Sequence, residues 1–416
     1  MNTIHHLKRQ AMYSLGGAAI WILSGLAGAR QVTPSDLAIL LEPSPSENSS
    51  VRMKSELFPN QWWQASLALY EKTPVGKALT IENTLEEWQV VSLRIAPCQP
   101  LIPILTNEND RFCATELRIV WQPIVFSRPG SWVGVADDRA FHVSYRLDGR
   151  NLLTPTQAET YKLLLEKGQS RITQAPSQMP LGQEEIETYE KLHRELVARL
   201  LDEVKELSQT PLDGAQITIR PEYASEKNRK AFVEKLEKFL GKHARADQVI
   251  ELTGFSLTEG RDPPMLDEWI FIALEPDLSQ GEHNGTKNLI PKDIRLKSKH
   301  SGQELLNFGP HTTVSMHRDD DRIYDLMETL DEAEKLEVEK AVILKFGEKK
   351  IKKNMISNVK ETQVPHTSCA SCHKLNSQPF DFHNLSYYLD HPMTISPRVV
   401  QDVTHDLSWL KKQGID

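Results

Sequence analysis

The chain has 416 residues, and 49 Lys and Arg against 57 Asp and Glu give it a formal net charge of −8 at pH 7. That length is enough for two or three domains. The sequence shows no basic patch of the size that nucleic acid requires, so we exclude nucleic acid as a partner. It also contains no phosphate-binding glycine loop, no Gly-x-Ser-x-Gly and no His-Glu-x-x-His, which removes the commonest signatures of nucleotide-binding proteins, hydrolases and zinc proteases.

Residues 1–29 predict a secretory signal peptide. Lys8 and Arg9 lie near its start, residues 11–26 are apolar or small, and residues 27–29 form an Ala-Gly-Ala cleavage sequence. The alternative is that this segment stays uncleaved and anchors the protein in a membrane. No other part of the sequence approaches the roughly 18 apolar residues of a membrane span. We therefore expect a periplasmic or secreted protein that touches a membrane only through this segment, and only if it is not removed.

Residues 30–54 are rich in Pro and Ser and predict a flexible lead-in, and residues 55–153 predict a β-rich domain. Strand-like runs occupy 90–95 and 117–121, and residues 141–147 alternate between apolar and polar as a half-buried strand does. Four tryptophans in this region favour a core over a ligand-binding box. They are Trp62, Trp63, Trp88 and Trp121.

Cys98 and Cys113 flank a loop between two of the predicted strands and lie 15 residues apart. In an oxidising compartment these two thiols would pair. A closed loop of this length implies about 3 kcal/mol of stabilisation in the chain-entropy model. The alternative is a pair of buried free thiols.

Residues 154–305 change to a mixture of helical and strand patterns, which predicts an α+β domain. Thr154 and Pro155 form the N-cap and first turn of a helix. Residues 275–305 are polar and predict a linker or large loop. Further helices are predicted over 184–208 and 226–243, and strands over 216–220, 249–252 and 268–274.

Residues 306–416 predict a small helical segment. One helix covers 331–346, and another begins at Ser396 and Pro397 as N-cap and first turn. The second helix has an apolar stripe at helical spacing that would pack either against a haem edge or in an ordinary core. Its members are Val399, Val400, Val403, Leu407 and Leu410.

Between these two helices lies one Cys-x-x-Cys-His motif, formed by Cys369, Cys372 and His373. Two thiols one helical turn apart can reach the two vinyl groups of one porphyrin, and the adjacent imidazole can then bind its iron. The alternatives are a surface or redox disulfide between the two cysteines and half of a zinc site. Structural zinc needs four ligands, and the sequence has no second cysteine pair with suitable spacing.

The sixth iron ligand has several candidates. Met393 and His383 follow the motif closely, and His391 lies near them. Met ligation raises the reduction potential of a haem and His ligation lowers it. The iron could instead be five-coordinate, or be ligated by a residue from an earlier domain.

At Cys369, Cys372 and His373 the chain resembles c-type cytochromes, and the resemblance covers about 50 residues. It implies one covalently bound haem c, His373 as the proximal iron ligand, and electron exchange with a redox partner protein or an envelope component. Since c-type haem is attached outside the cytoplasm, the predicted export signal agrees with this expectation.

Together these patterns predict an α+β protein with an N-terminal β-rich domain, a central α+β domain and a small C-terminal haem segment. The leading interpretation is an exported mono-haem electron carrier without enzymatic activity. The alternatives are a haem-based binding or sensing protein with an open iron site, and a non-haem exported protein with a Cys369–Cys372 disulfide. A haem enzyme such as a peroxidase is a further possibility, although nothing in the sequence identifies a substrate.

Overall fold

The structure is a computed structural model. The predicted signal peptide (1–29), the predicted helix at 331–346 and the Cys-x-x-Cys-His motif lie outside the part of the chain that it describes. The described residues are 30–41, 50–70, 88–100, 112–125, 135–136, 140–174, 181–208, 216–257, 268–277, 286–291, 295–297, 304–306, 314–317, 395 and 397–415.

A nine-stranded antiparallel sheet forms the centre of this part of the protein. Its main path runs β1-β2-β3-β5-β6-β7-β11, while β4 pairs with β3 and β8 pairs with β7. A separate hairpin contains β9 and β10. The strands are β1 (Ala38–Leu40), β2 (Trp88–Pro100), β3 (Cys113–Val125), β4 (Val135–Ala136), β5 (Ala140–Arg146), β6 (Val249–Leu257), β7 (Glu268–Pro276), β8 (Leu289–Pro291), β9 (Arg295–Lys297), β10 (Glu304–Leu306) and β11 (Val314–His317).

The central strands have one apolar and one polar face, because side chains alternate along a strand. On β3, Leu117, Ile119 and Trp121 are fully buried in the core, whereas Glu116 and Arg118 lie on the opposite face and hydrogen-bond there. The alternation predicted for residues 141–147 is confirmed on β5, and the four tryptophans lie in or against the core.

Six α-helices complete the described fold: α1 (Pro34–Leu37), α2 (Asn60–Tyr70), α3 (Pro155–Gln174), α4 (Gln183–Leu207), α5 (Glu226–His243) and α6 (Pro397–Gln413). The apolar stripe of α4 is buried against β3, and both α3 and α5 pack on α4. The predicted start of α3 is confirmed, because Thr154 Oγ1 accepts from the amide of Gln157 and the Gln157 side chain accepts from the amide of Thr154. None of the helices in the described ranges is long and apolar enough to cross a membrane.

Residues 30–41, assigned to a flexible lead-in by their sequence, instead form α1 and β1. Leu37 and Ile39 are completely buried. Asp36 closes the first turn of α1 by accepting from the amide and hydroxyl of Thr33. The Pro/Ser composition hid this because α1 and β1 have only four and three residues, and β1 is ordered by pairing with β2.

Two other predictions need correction. Residues 216–220 are not a strand, since they make one isolated bridge, between Ile219 and Leu40. Ile217 and Ile219 pack against the core, which explains the alternating apolar pattern that predicted a strand. The predicted linker at 275–305 contains β8, whose Leu289 is buried beside β7.

The described residues confirm an α+β protein. The finer division into domains stays a prediction, and β5 and β6, from two of the predicted domains, are direct neighbours in one sheet.

Candidate functional site

The residues predicted to bind haem lie outside the described part of the chain. This applies to Cys369, Cys372 and His373, and to the possible sixth ligands Met393 and His383. The description of the chain resumes at Ile395 and continues through α6, downstream of the Cys-x-x-Cys-His motif. The contacts of α6 therefore show how the residues that follow the motif are attached to the sheet.

An ion pair fastens α6 to the sheet. The guanidinium of Arg94 on β2 bonds to the carboxylate of Asp406 on α6, and it also donates to the carbonyl of Leu37 at 3.2 Å. Asp406 is 4% exposed. A buried ion pair stabilises the fold only if its geometry offsets the lost hydration of both charges. The loss of either partner leaves a buried charge uncompensated. Arg94 thereby joins α6, β2 and α1.

Further along α6, the indole of Trp409 packs on the ring of His193 from α4, with the ring centroids 5.5 Å apart. His193 Nε2 lies 2.9 Å from the carbonyl oxygen of Pro97 and 3.1 Å from Thr115 Oγ1. Burial lowers the pKa of His193 to about 4, so the ring is neutral at pH 7. A proton on Nε2 satisfies the Pro97 carbonyl and leaves Nδ1 facing Cys113 Sγ at 3.7 Å.

The predicted disulfide between Cys98 and Cys113 is present in the structure and confirms that expectation. The two Cα atoms are 5.0 Å apart, and the bond joins β2 and β3 beside a bulge in their pairing. The hydroxyl of Tyr189 donates to the carbonyl of Cys113 at 2.6 Å. Because both cysteines are buried, this bond is a structural staple rather than a redox centre open to solvent.

A small pocket of about 60 Å³ lies where α6 meets the polar face of the sheet. We call it the α6 pocket. Its apolar lining includes Val120, Val399 and Ile395, and its polar lining includes His142, Arg94, Arg118 and Asp402. The pocket thus combines residues from β2, β3 and β5 with the first residues described after the haem motif segment.

The charges around the α6 pocket are matched with one another. Arg118 donates to Gln99 at 2.8 Å and to Glu116 at 3.4 Å, and Arg146 donates to the same Glu116 at 2.7 Å. Arg94 is paired with Asp406. The pocket therefore offers no strong excess of positive charge.

Within the described ranges, no group of three or more His, Cys, Asp or Glu is placed to hold a metal ion. Haem iron does not need such a group, because the porphyrin supplies four nitrogens and the protein adds one or two axial ligands. The imidazole of His142 lines the α6 pocket. Sequence reasoning missed this pocket because nothing local to β5 shows that His142, Val120 and Val399 line one cavity.

No family model, curated protein or solved structure matches this chain. The function is therefore inferred from the haem motif and from the contacts of the described residues.

Proposed function

We propose that this protein is an exported mono-haem c-type protein that transfers electrons. Cys369 and Cys372 hold the haem through thioether bonds, and His373 is the proximal iron ligand. The motif is the observation that carries the proposal, since its three residues supply every protein group that covalent haem attachment requires. When bound, haem supplies the one-electron chemistry, and the protein tunes it through axial ligation and burial.

In this proposal, residues 55–153 and 154–305 form the body and residues 306–416 carry the haem. The attachment of α6 supports that arrangement, because Asp406 and Trp409 bind the end of the haem segment to β2 and α4. A haem fixed to a folded body has a defined exposure to its redox partner. The partner is a redox protein or an envelope component, and the role of the body is to dock it.

The Cys98–Cys113 disulfide supports an oxidising compartment, since stable disulfides are rare in the cytosol. Attachment of c-type haem takes place in the same kind of compartment. The proposed location is therefore the periplasm or the extracellular medium, reached through the signal at residues 1–29.

The proposal is tested by producing the chain together with a cytochrome maturation system and staining a denaturing gel for haem. We expect a stained band for the natural chain and for Ser371→Ala, which changes a variable position inside the motif. Cys372→Ala should lose most of the stain because one thioether bond is removed. An unstained natural chain would refute the proposal and favour the alternative in which Cys369 and Cys372 form a disulfide.

A second measurement separates electron transfer from ligand sensing. An electron carrier should be reduced and reoxidised reversibly, and its ferrous form should not bind carbon monoxide. Rapid binding of carbon monoxide by the natural protein would favour the haem-based sensor instead.

A further inference from the structure

We propose that the contact between His193 of α4 and Trp409 of α6 is an acid-sensitive latch, in which protonation of the His193 ring releases α6 from α4 and the sheet. The inference goes beyond the proposed electron transfer. It concerns described residues alone and holds with or without bound haem.

The hydrogen-bond geometry of His193 accommodates one proton. Nε2 lies 2.9 Å from the carbonyl oxygen of Pro97 and 3.1 Å from Thr115 Oγ1, so both oxygens meet the same nitrogen. Nδ1 faces Cys113 Sγ at 3.7 Å, and that sulfur belongs to the disulfide. A cationic imidazole donates from both nitrogens, and sulfur is a weak acceptor. The second proton would therefore enter a buried position that has no oxygen acceptor.

The other groups around the ring do not compensate a positive charge. The rings of Tyr161 on α3 and Tyr189 on α4 lie 6.1 and 5.7 Å from it between centroids, and burial raises the pKa of both hydroxyls, so both stay neutral. Burial, and after it the positive charge of Arg194, lowers the pKa of His193 to about 4. The residues that touch the ring from β2, β3 and α6 carry no charge. The ring therefore gains a proton at less cost once water can reach it.

The charged groups of α6 are occupied elsewhere. Asp406 is paired with Arg94 of β2, and Lys411 and Lys412 are exposed to solvent. Within the described ranges, no carboxylate of α6 forms an ion pair with His193 that would hold the protonated ring in place.

α6 is the element that can move aside to admit water. It is the described helix nearest the carboxyl end, and its links to α4 are Trp409 on His193 and a 3.5 Å hydrogen bond from Arg194 to Gln413. By contrast, α4 buries ten residues, and β2 and β3 are paired inside the sheet. Local opening takes place where the fewest contacts are lost, which favours release of α6 over disruption of α4.

The pH window follows from the direction of the shift. His193 has a pKa of about 4 when α6 is docked, and a ring that water reaches titrates near the ordinary value of 6.5. Release is therefore favoured progressively as the pH falls from 6.5 toward 4. Between pH 7 and pH 5, where ordinary carboxylates stay ionised, the ratio of released to docked α6 should rise about 20-fold.

Hydrogen exchange with mass spectrometry tests the latch in the full-length protein. Exchange of α6 and of the buried stripe of α4 is measured at pH 7 and pH 5 over a range of low urea concentrations, and is corrected for the intrinsic pH dependence of amide exchange. The variants are His193→Gln and the matched control His243→Gln. His243 is also a buried helical histidine, but it lies on α5 and bonds to Glu203 at 2.8 Å.

In the natural protein we expect the opening constant of α6 to rise about 20-fold from pH 7 to pH 5, with a shallow dependence on urea. The α4 stripe should exchange with a steep dependence on urea, because it opens only when the whole fold unfolds. His193→Gln should abolish the rise in α6, since its amide can donate to the Pro97 carbonyl but gains no charge. His243→Gln should keep the rise.

Three results would overturn the inference: an α6 opening constant that is equal at pH 7 and pH 5, an α6 urea dependence as steep as that of α4, or a rise that persists in His193→Gln. The first two are measured on the natural chain, so they decide the matter even where a variant does not fold. The proposed function is tested separately by the haem stain, and failure of the latch leaves it intact.

Discussion

Removing the indole of Trp409 is the sharpest test of how α6 is held on the body. Trp409 is 4% exposed, contacts the ring of His193 and lies beside the buried Leu410. Truncation of a buried aromatic residue to alanine costs about 3–5 kcal/mol, because apolar contact is lost and the cavity closes only in part. We expect Trp409→Ala to lower the free energy of unfolding by that amount.

Urea unfolding followed by circular dichroism gives this free energy, with Val400→Ala as the control on the same helix. Val400 is 43% exposed, so its truncation should change stability by less than about 0.5 kcal/mol. If Trp409→Ala were as mild as Val400→Ala, α6 would not be packed against α4. The proposed attachment of the C-terminal segment to the body would then lose its support.

Three further predictions concern the same region. Replacing Cys98 and Cys113 together by Ala should lower the free energy of unfolding by about 3 kcal/mol in urea, and an unchanged value would mean that the bond does not constrain the unfolded chain. The pKa of His193 falls from 6.5 to about 4 on folding, so its contribution is complete above pH 6.5 and is lost as the pH falls toward 4. That contribution is about 3 kcal/mol, and His193→Gln should flatten the pH dependence of the denaturation midpoint across this window; an equally steep profile would contradict the assignment. Asp406→Ala should cost about 3 kcal/mol by leaving Arg94 unpaired, and Arg94→Met in the same chain should recover most of it; no recovery would show that the ion pair is not the cause.

The long helices were predictable because their signals are local. The stripe of α4 and the Thr154 cap of α3 depend on residues within a few turns of one another. The predicted range of α5, 226–243, matches the structure at both ends. At its start, Ser225 caps the first turn. The disulfide was predictable for a different reason: if Cys369 and Cys372 bind haem, Cys98 and Cys113 are the two cysteines left, and an oxidising compartment would pair them.

The features that escaped prediction depend on distant partners. β1 has three residues and is defined by its pairing with β2, more than 50 positions away. The single bridge from Ile219 to Leu40 left residues 216–220 with a strand-like pattern but no strand. The α6 pocket joins His142 to Val399, and no periodicity connects residues so far apart in the chain.

Intact-mass measurement of the purified protein tests the central claim most directly. The account predicts a chain that begins after residue 29 and carries the added mass of one haem, with Cys98 and Cys113 joined as a disulfide. Recovery of apoprotein alone from a host competent in cytochrome maturation would contradict it.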